Sequence, residues 1–290
     1  METLMEEGPL KRFLRMAAPI LMLIGVEVLL AFAFAMIFRA KVMKEAGITD
    51  TAAPGAYQAL LDKYVELIRD NSLLITLIVG VIAIAFSLLL LKNDEKRHRY
   101  NVVYKSIPLP AYPAAAVLGT VLCAGINLFF YVSGFYGMMG SDAAAMESVY
   151  RGSIIIQIVT VCIVSPLMEE LVFRNLFYKR MRDYISFWPA CLVSAFVFAV
   201  YHGNLLQGTY AFITGIVLAF IFEKTDFVLI PFLCHAAANT LSYVLTYTLK
   251  EMPGETVTWV CLAVCTAAAA GLIFYFYRKV QVEYSLKKTV

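Results

Sequence analysis

The sequence predicts an all-α fold: a polytopic membrane protein with about eight transmembrane helices. Of its 290 residues, 61% are hydrophobic and only 16% are charged, and its mean hydropathy of +0.76 exceeds that of an average soluble domain. Most of its apolar runs approach the ~20 residues that a helix needs to cross a hydrocarbon core of ~30 Å. Only helices or closed barrels satisfy their backbone groups in lipid, which favours helices here. The runs are residues 17–38, 72–91, 111–133, 153–177, 187–201, 207–222, 227–249 and 257–277.

Charged residues between the runs predict the orientation. With a cytoplasmic N-terminus, sixteen of the 24 Lys and Arg residues fall on the cytoplasmic side and seven on the other, with Arg174 inside a run. Because positive residues are retained in the cytoplasm, we expect both termini there and the protein in the cell membrane. The first run is longer than the ~7–15 apolar residues of a secretory signal, so it is kept as a span.

A charged and then proline-rich stretch at 92–113 is the clearest internal boundary. It predicts an N-terminal two-span region at 1–110, a core at 111–250, and a last span with a basic tail at 251–290. His98 lies in the charged part and is predicted to be a solvated loop residue. The six cysteines all fall in apolar runs without a C-x-x-C pair, which indicates small buried residues instead of disulfides.

Two adjacent carboxylates and an arginine interrupt the fourth run, in the stretch SPLMEELVFRNLFYKR at 165–180. Ionisable residues are costly inside a membrane helix and are functional hypotheses by default. Residues at i and i+4 share a helix face, so Arg174 can neutralise Glu170 as a structural ion pair. Adjacent residues point about 100° apart, which leaves Glu169 as a candidate general base. Pro166 can kink the helix and admit water at that level.

Two further i, i+4 pairs occur in later runs: Phe198 with His202, and His235 with Asn239. The chain has only three histidines, and two of them fall in these pairs. This distribution favours a functional cluster of Glu169, His202 and His235 over chance polar contacts.

The rise of a helix predicts how deep these residues lie. The cytoplasmic surface is expected at Lys179, Trp188 and Asp226. Counted from there at about 1.5 Å per residue, Glu169 and His235 lie about 14–15 Å deep, whereas His202 lies about 21 Å deep. His202 therefore fits the cluster only if its helix is tilted or starts lower. Other intramembrane polar residues are predicted to be interhelical hydrogen-bond struts: Glu27, Asn127 and Gln157.

The three motifs resemble those of a known family. EELVFR at 169–174, FAVYH at 198–202 and HAAAN at 235–239 look like the motifs E-E-x-x-x-R, F-x-x-x-H and H-x-x-x-N of the CAAX protease and bacteriocin-processing (Abi) intramembrane proteases, in the same order. That family includes prenyl-protein endopeptidases and proteins tied to bacteriocin maturation or immunity. The resemblance covers roughly residues 150–245. It departs at Asn175, where many members carry glycine.

The resemblance implies an intramembrane endopeptidase with a conical catalytic cavity. It assigns the activation of a water molecule to Glu169 and His202. It assigns the binding of the substrate carbonyl and the stabilisation of the oxyanion to His235 and Asn239.

Supporting roles follow from the same resemblance. Glu170 and Arg174 are the supporting ion pair, and Phe198 stands one turn before His202 on its helix face. Asn204 either orients His202 or forms a turn.

The cofactor and the function each have open alternatives. Glu169, His202 and His235 could hold zinc, but H-E-x-x-H is absent and the ligands would come from three helices, so we favour a site without metal. The expected partners are a membrane-associated peptide or protein substrate and the lipid bilayer, and the lack of a basic patch with interleaved aromatics predicts no nucleic acid. Alternative functions are a non-catalytic immunity or scaffold protein of the same family, or a proton-coupled transporter, for which no inverted repeat is evident.

Overall fold

Each of the eight apolar runs forms a helix. The computed structural model of the protein describes residues 8–46, 56–98, 104–139, 153–249, 253–280 and 283–285. Its elements are α1 (Pro9–Ala46), α2 (Ala56–His98), β1 (Tyr104–Ser106), α3 (Ala111–Val132), α4 (Phe135–Met139), α5 (Ile154–Arg182), α6 (Phe187–Tyr201), α7 (Leu205–Thr225), α8 (Leu229–Thr248), α9 (Glu255–Lys279) and β2 (Glu283–Ser285).

The all-α membrane fold is confirmed. Seven helices of the described residues are long and apolar enough to cross a membrane. The exception is α6, whose 15 residues span about 22 Å at 1.5 Å per residue, less than a core of about 30 Å. Two three-residue strands, β1 and β2, add a short antiparallel ribbon that pairs Tyr104 with Ser285 and that the sequence pattern does not predict.

The shortness of α6 comes from the turn that follows it. Gly203 has a φ of +72°, a conformation that glycine adopts without steric cost. Asn204 then caps α7, because its side-chain oxygen accepts a hydrogen bond from the backbone N–H of Gln207 at 2.8 Å. His202 therefore lies directly after the last residue of α6, where the chain turns back.

The first two helices extend beyond the predicted spans. α2 has 43 residues, about 65 Å of helix at 1.5 Å per residue. The charged stretch from residue 92 continues α2 as far as His98, so the prediction of a loop around His98 is wrong; apolar periodicity marks only the part of a helix that lies in lipid or core. Residues 99–103 of the predicted boundary lie outside the described residues, and residues 104–113 contain β1 and the start of α3.

Three clusters of buried side chains form the core of the described residues. Buried side chains of α3, α7, α8 and α9 pack together, among them Leu118, Ile230 and Phe276. A second cluster joins α1, α2, α5 and α6, with Leu23 of α1 against the motif helix α5. The third contains Tyr178 of α5 and Phe222 of α7. The N-terminal helices thus pack directly on α5, while the division into three regions stays a prediction.

Ion pairs tie the helices together at one end of the bundle. They connect α5 and the turn after it with α1, α2, α7 and the turn after α7. The pairs are Arg15–Asp183 at 3.0 Å, Arg180–Asp94 at 2.8 Å, Arg182–Glu223 at 2.8 Å, and Lys179–Asp226.

Glycine permits a close approach of α3 to α8 beside the motif residues of α8. A Cβ atom at Gly119 would lie 1.8 Å from the carbonyl oxygen of Cys234, whereas a Cβ at Gly271 of α9 would meet nothing within 4 Å. Small residues at such crossings let helix backbones pack closely in membranes.

We therefore expect Gly119→Ala to destabilise the protein. The added methyl group forces α3 away from α8, and overpacking of this kind costs about 1–3 kcal/mol. The measurement is the melting temperature of the purified protein in detergent. Gly271→Ala is the matched control and should not lower it, since alanine favours a helix over glycine by about 1 kcal/mol. Equal melting temperatures for the two variants would contradict the close crossing.

Candidate active site

The helix that carries the first motif is not a regular α-helix. Within α5, Val159–Val164 and Glu170–Tyr178 form π-helical turns, which flank the short α-helical segment Ser165–Glu169. Such wider turns are rare and often occur at functional sites. Pro166 lies in the segment between them, so the predicted distortion near Pro166 takes the form of wide turns.

A fully buried ion pair lies at the centre of the site. Arg174 Nη1 donates to Glu170 Oε1 at 2.8 Å, and both side chains are 0% exposed. This is the i, i+4 pair that the sequence predicts. Because a single buried charge would be strongly destabilising, each member depends on the other.

Neighbouring helices enclose the Arg174 guanidinium. The ring of Phe198 on α6 lies 4.2 Å from Arg174 Cζ, in cation–π geometry. On α7, a Cβ at Gly215 would approach Arg174 Nη2 to 3.3 Å, so glycine leaves the room that the guanidinium occupies. Phe198 therefore supports the arginine as well as the histidine one turn further along α6.

Both motif carboxylates contact one imidazole. His235 Nδ1 lies 2.8 Å from Glu170 Oε1, and its Nε2 lies 3.5 Å from Glu169 Oε2. A carboxylate accepts hydrogen bonds, so Nδ1–H donates to Glu170, which fixes the orientation of the ring. The Glu169 side chain is 12% exposed and Glu170 is 0% exposed, so only Glu169 lies open to a reacting molecule.

The contact between Glu170 and His235 is the main feature that sequence reasoning missed. On a regular α-helix adjacent side chains diverge by about 100°, which suggested that Glu169 and Glu170 face different surroundings. A π turn holds more residues, and the angle between successive side chains is correspondingly smaller. The two carboxylates can therefore reach opposite nitrogens of the same ring. The proline at 166 was the only available signal of an irregular helix.

His202 is connected to the cluster by the ring of Phe198, which packs on both histidines. The ring of Phe198 packs edge-on against His202 at 4.7 Å and against His235 at 5.8 Å between centroids. His202 Nδ1 lies 2.8 Å from the carbonyl oxygen of Phe198; since a carbonyl only accepts, Nδ1 carries the proton. In the neutral ring Nε2 then holds the lone pair and can accept a proton.

The two asparagines have structural contacts of their own. Asn239 Nδ2 donates to the carbonyl oxygen of Val161 at 3.0 Å. Pro166 has no N–H to offer the carbonyl five residues earlier in a π turn, and Asn239 supplies that donor. Asn204 forms the turn that caps α7 and only approaches the backbone carbonyl of His202, at 3.5 Å. Of its two expected roles, the structure therefore shows the turn.

The described residues show no preassembled zinc site. Glu169, His202 and His235 do not converge as metal ligands, and the described residues contain no group of three or more His, Cys, Asp or Glu side chains that could hold a metal ion. A cavity of only about 10 Å³ lies beside His235, between α3, α7 and α8. The predicted conical cavity and the absence of a cofactor both stay predictions.

The predicted struts make hydrogen bonds between elements. Gln157 Oε1 accepts from Tyr243 at 2.8 Å and from Tyr247 at 2.7 Å, which joins α5 to α8. Asn127 accepts from Tyr136 of α4. The third strut, Glu27 of α1, accepts from the hydroxyl of a tyrosine on α6, at 2.5 Å.

Comparisons with known proteins agree with the motifs. Residues 151–241 match the family model described as type II CAAX prenyl endopeptidase Rce1-like. The Bacillus subtilis (strain 168) protein named "Putative membrane peptidase YdiL" is 25% identical over 114 residues, which are 39% of this chain and 46% of the relative. The chain thus spans about half the length of the curated relative that it matches. No solved structure matches the chain.

These matches support one class of protein. The resemblance to the CAAX protease and bacteriocin-processing family is confirmed for the part of the chain that carries the motifs. Together, the family match and the relative support a membrane protease in general.

The buried ion pair generates a stability prediction. We expect Glu170→Gln and Arg174→Met each to lower the free energy of unfolding by about 3–5 kcal/mol, because each leaves an uncompensated buried charge. The double variant should lose less than the sum of the two losses. The measurement is chemical denaturation of the purified protein in detergent micelles.

Lys179→Met is the matched control for the ion-pair variants. Lys179 pairs with Asp226 at the bundle end with a 39% exposed side chain, and exposed pairs contribute only about 0–1 kcal/mol. Additive losses for Glu170 and Arg174, or equal losses for the buried and exposed pairs, would contradict the central role of the buried pair.

Proposed function

We propose that this protein is an intramembrane endopeptidase that hydrolyses a peptide bond of a membrane-associated protein or peptide, such as a CAAX-type tail or a bacteriocin precursor. One observation carries the proposal: the accessible carboxylate of Glu169 faces an imidazole whose other nitrogen is held by a buried Glu–Arg pair. Structural polar contacts do not need two carboxylates on one ring. A hydrolytic site can use both, because one orients the ring while the other exchanges protons.

In the proposed mechanism, Glu169 takes a proton from a water molecule that the Nε2 lone pair of His202 also binds. The hydroxide attacks the carbonyl carbon of the substrate, a C–O bond forms, and the carbonyl oxygen becomes an oxyanion. The proton passes from Glu169 to Nε2 of His235, whose ring Glu170 holds at Nδ1, and this N–H donates to the oxyanion together with the N–H of Asn239 that is not bonded to Val161. As the C–N bond breaks, the same proton returns through Glu169 to the leaving amine.

The fold favours a substrate that is itself held in the membrane. Helices α1, α3, α5, α6, α7 and α8 pack around the site, and large apolar side chains on the outer faces of the bundle are exposed, as expected for lipid contact, for example Phe32, Phe196 and Val264. A folded soluble protein cannot reach a site of this kind. An extended tail attached to a lipid, or a peptide embedded in the bilayer, can.

Substitution of the general base tests the proposal. We expect Glu169→Gln to lower turnover by about 10²–10⁴-fold, the usual contribution of a general base, with the melting temperature unchanged. The assay uses proteoliposomes and an internally quenched peptide with a farnesylated CAAX tail, beside a comparison of the membrane peptidome of cells with and without the protein. Glu66→Gln, at an exposed carboxylate of α2, is the control and should retain full turnover.

Three other outcomes would replace the proposal. A Glu169→Gln protein that preserves the cellular phenotype would favour a non-catalytic immunity or scaffold role. Proton-coupled uptake without cleavage would favour a transporter. Activity that disappears on exhaustive chelation and returns with one equivalent of zinc would favour a metalloprotease, whereas we expect turnover to survive chelation.

We further propose that the protein lies in the cell membrane with both termini in the cytoplasm, so that the ion-paired end of the bundle faces the cytoplasm. In a variant without native cysteines, Ser165→Cys, one turn from Glu169, should react with a membrane-impermeant thiol reagent supplied from the cytoplasmic face only. Gly137→Cys, in α4 at the opposite end, should react from the outer face only. The reverse pattern would overturn the orientation.

A further inference from the structure

One hydrogen bond connects the first helix to the motif helices. The Tyr201 hydroxyl donates to Glu27 Oε1 at 2.5 Å. Tyr201 is the last residue of α6 and directly precedes His202. Glu27 belongs to α1, far outside the segment 151–241 that matches the family model.

Glu27 lies on the face of α1 that packs against the site. Leu23 and Val26 of that face are buried in the cluster that contains Val172 and Phe198, and Leu30 packs on the same cluster. Positions 23, 26, 27 and 30 form one stripe of an α-helix, with spacings of three and four residues. The Glu27 carboxylate is therefore directed at the site by the packing of α1.

Tyr201 is held from two sides. Its ring packs on Phe173 at 5.5 Å and lies near the ring of His202 at 6.1 Å between centroids, while its hydroxyl reaches Glu27. Glu27 and Tyr201 both lie close enough to Glu169 to interact with it electrostatically. The pair thus borders both groups to which the proposed mechanism assigns the activation of water.

The turn after α6 leaves the end of that helix to be held by side-chain contacts. Gly203 follows with a positive φ, and glycine leaves the backbone freer than any other residue. The Nδ1 bond of His202 ends on the backbone of its own helix, so it does not connect that helix end to another helix. The bond from Tyr201 connects it to α1, which itself packs on α5.

We propose that Glu27 is a positioning residue of the site. Through its hydrogen bond with Tyr201 it holds the end of α6, and therefore His202, in position relative to Glu169. The first helix is then part of the catalytic apparatus, although the family match does not include it. This inference rests on the proposed function for its catalytic consequence, but its geometric part stands without it.

The first test is a double-mutant cycle in the proteoliposome assay with the quenched farnesylated peptide. Glu27→Leu and Tyr201→Phe should each lower kcat by about 10–100-fold, the usual loss when a supporting hydrogen bond is removed, with KM unchanged. The double variant should be no worse than either single variant, because the two substitutions remove one shared interaction. Glu27→Gln keeps an acceptor oxygen and should restore kcat nearly to the wild-type value.

Tyr243→Phe is the matched control, because it likewise removes a tyrosine hydrogen bond between two helices, here to Gln157 and away from His202. It should leave kcat unchanged. Wild-type kcat in Glu27→Leu, additive losses in the double variant, or an equal loss in Tyr243→Phe would each overturn the inference.

The second test needs no substrate. In a variant without native cysteines, His202→Cys reports the position of the α6 end through its rate of reaction with a small thiol reagent. Glu27→Leu and Tyr201→Phe should raise that rate several-fold, whereas Glu27→Gln and Tyr243→Phe should not. If these rates behave as expected but no variant cleaves any peptide, the proposed function fails and the positioning role stands. If the wild type cleaves and the rates do not change, the positioning role alone fails.

Discussion

The buried ion pair between Glu170 and Arg174 is the constraint on which the rest of the site depends. Two charges at 0% exposure are tolerated only when they are paired with each other. Residues of the neighbouring helices enclose this pair. Phe198 covers the guanidinium, Gly215 leaves room for it, and His235 takes up the same carboxylate oxygen that Arg174 binds. Helices α5, α6, α7 and α8 thereby meet at one side-chain pair.

The same constraint explains how two adjacent glutamates come to have different surroundings. Glu170 is fully buried and contacts both a cation and an imidazole. Glu169 is more exposed and lies 3.5 Å from the far nitrogen of that imidazole. The wide turns of α5 make this sharing possible, and the hydrogen bond from Asn239 to Val161 compensates one of the backbone groups that the wide turns and Pro166 leave unpaired.

The N-terminal helices are more than an anchor in this arrangement. α1 packs its buried stripe against α5 and α6, and it brings Glu27 to Tyr201 at the edge of the motif cluster. A family match confined to residues 151–241 therefore contains the three motifs and omits a helix that contacts the end of α6.

The sequence by itself determined the membrane class, the helical nature of all eight apolar runs, the Glu170–Arg174 pair and the residues of the three motifs. Each of these follows from short-range rules: hydrophobic length and the i, i+4 spacing of a helix. Only the tertiary structure decided that α6 is too short to span, that His98 ends a long helix, that Asn204 caps α7, and that both glutamates meet at His235. These features depend on turn geometry, on contacts between helices distant in the chain, and on a departure from regular α-helical winding, none of which is encoded in a local apolar pattern.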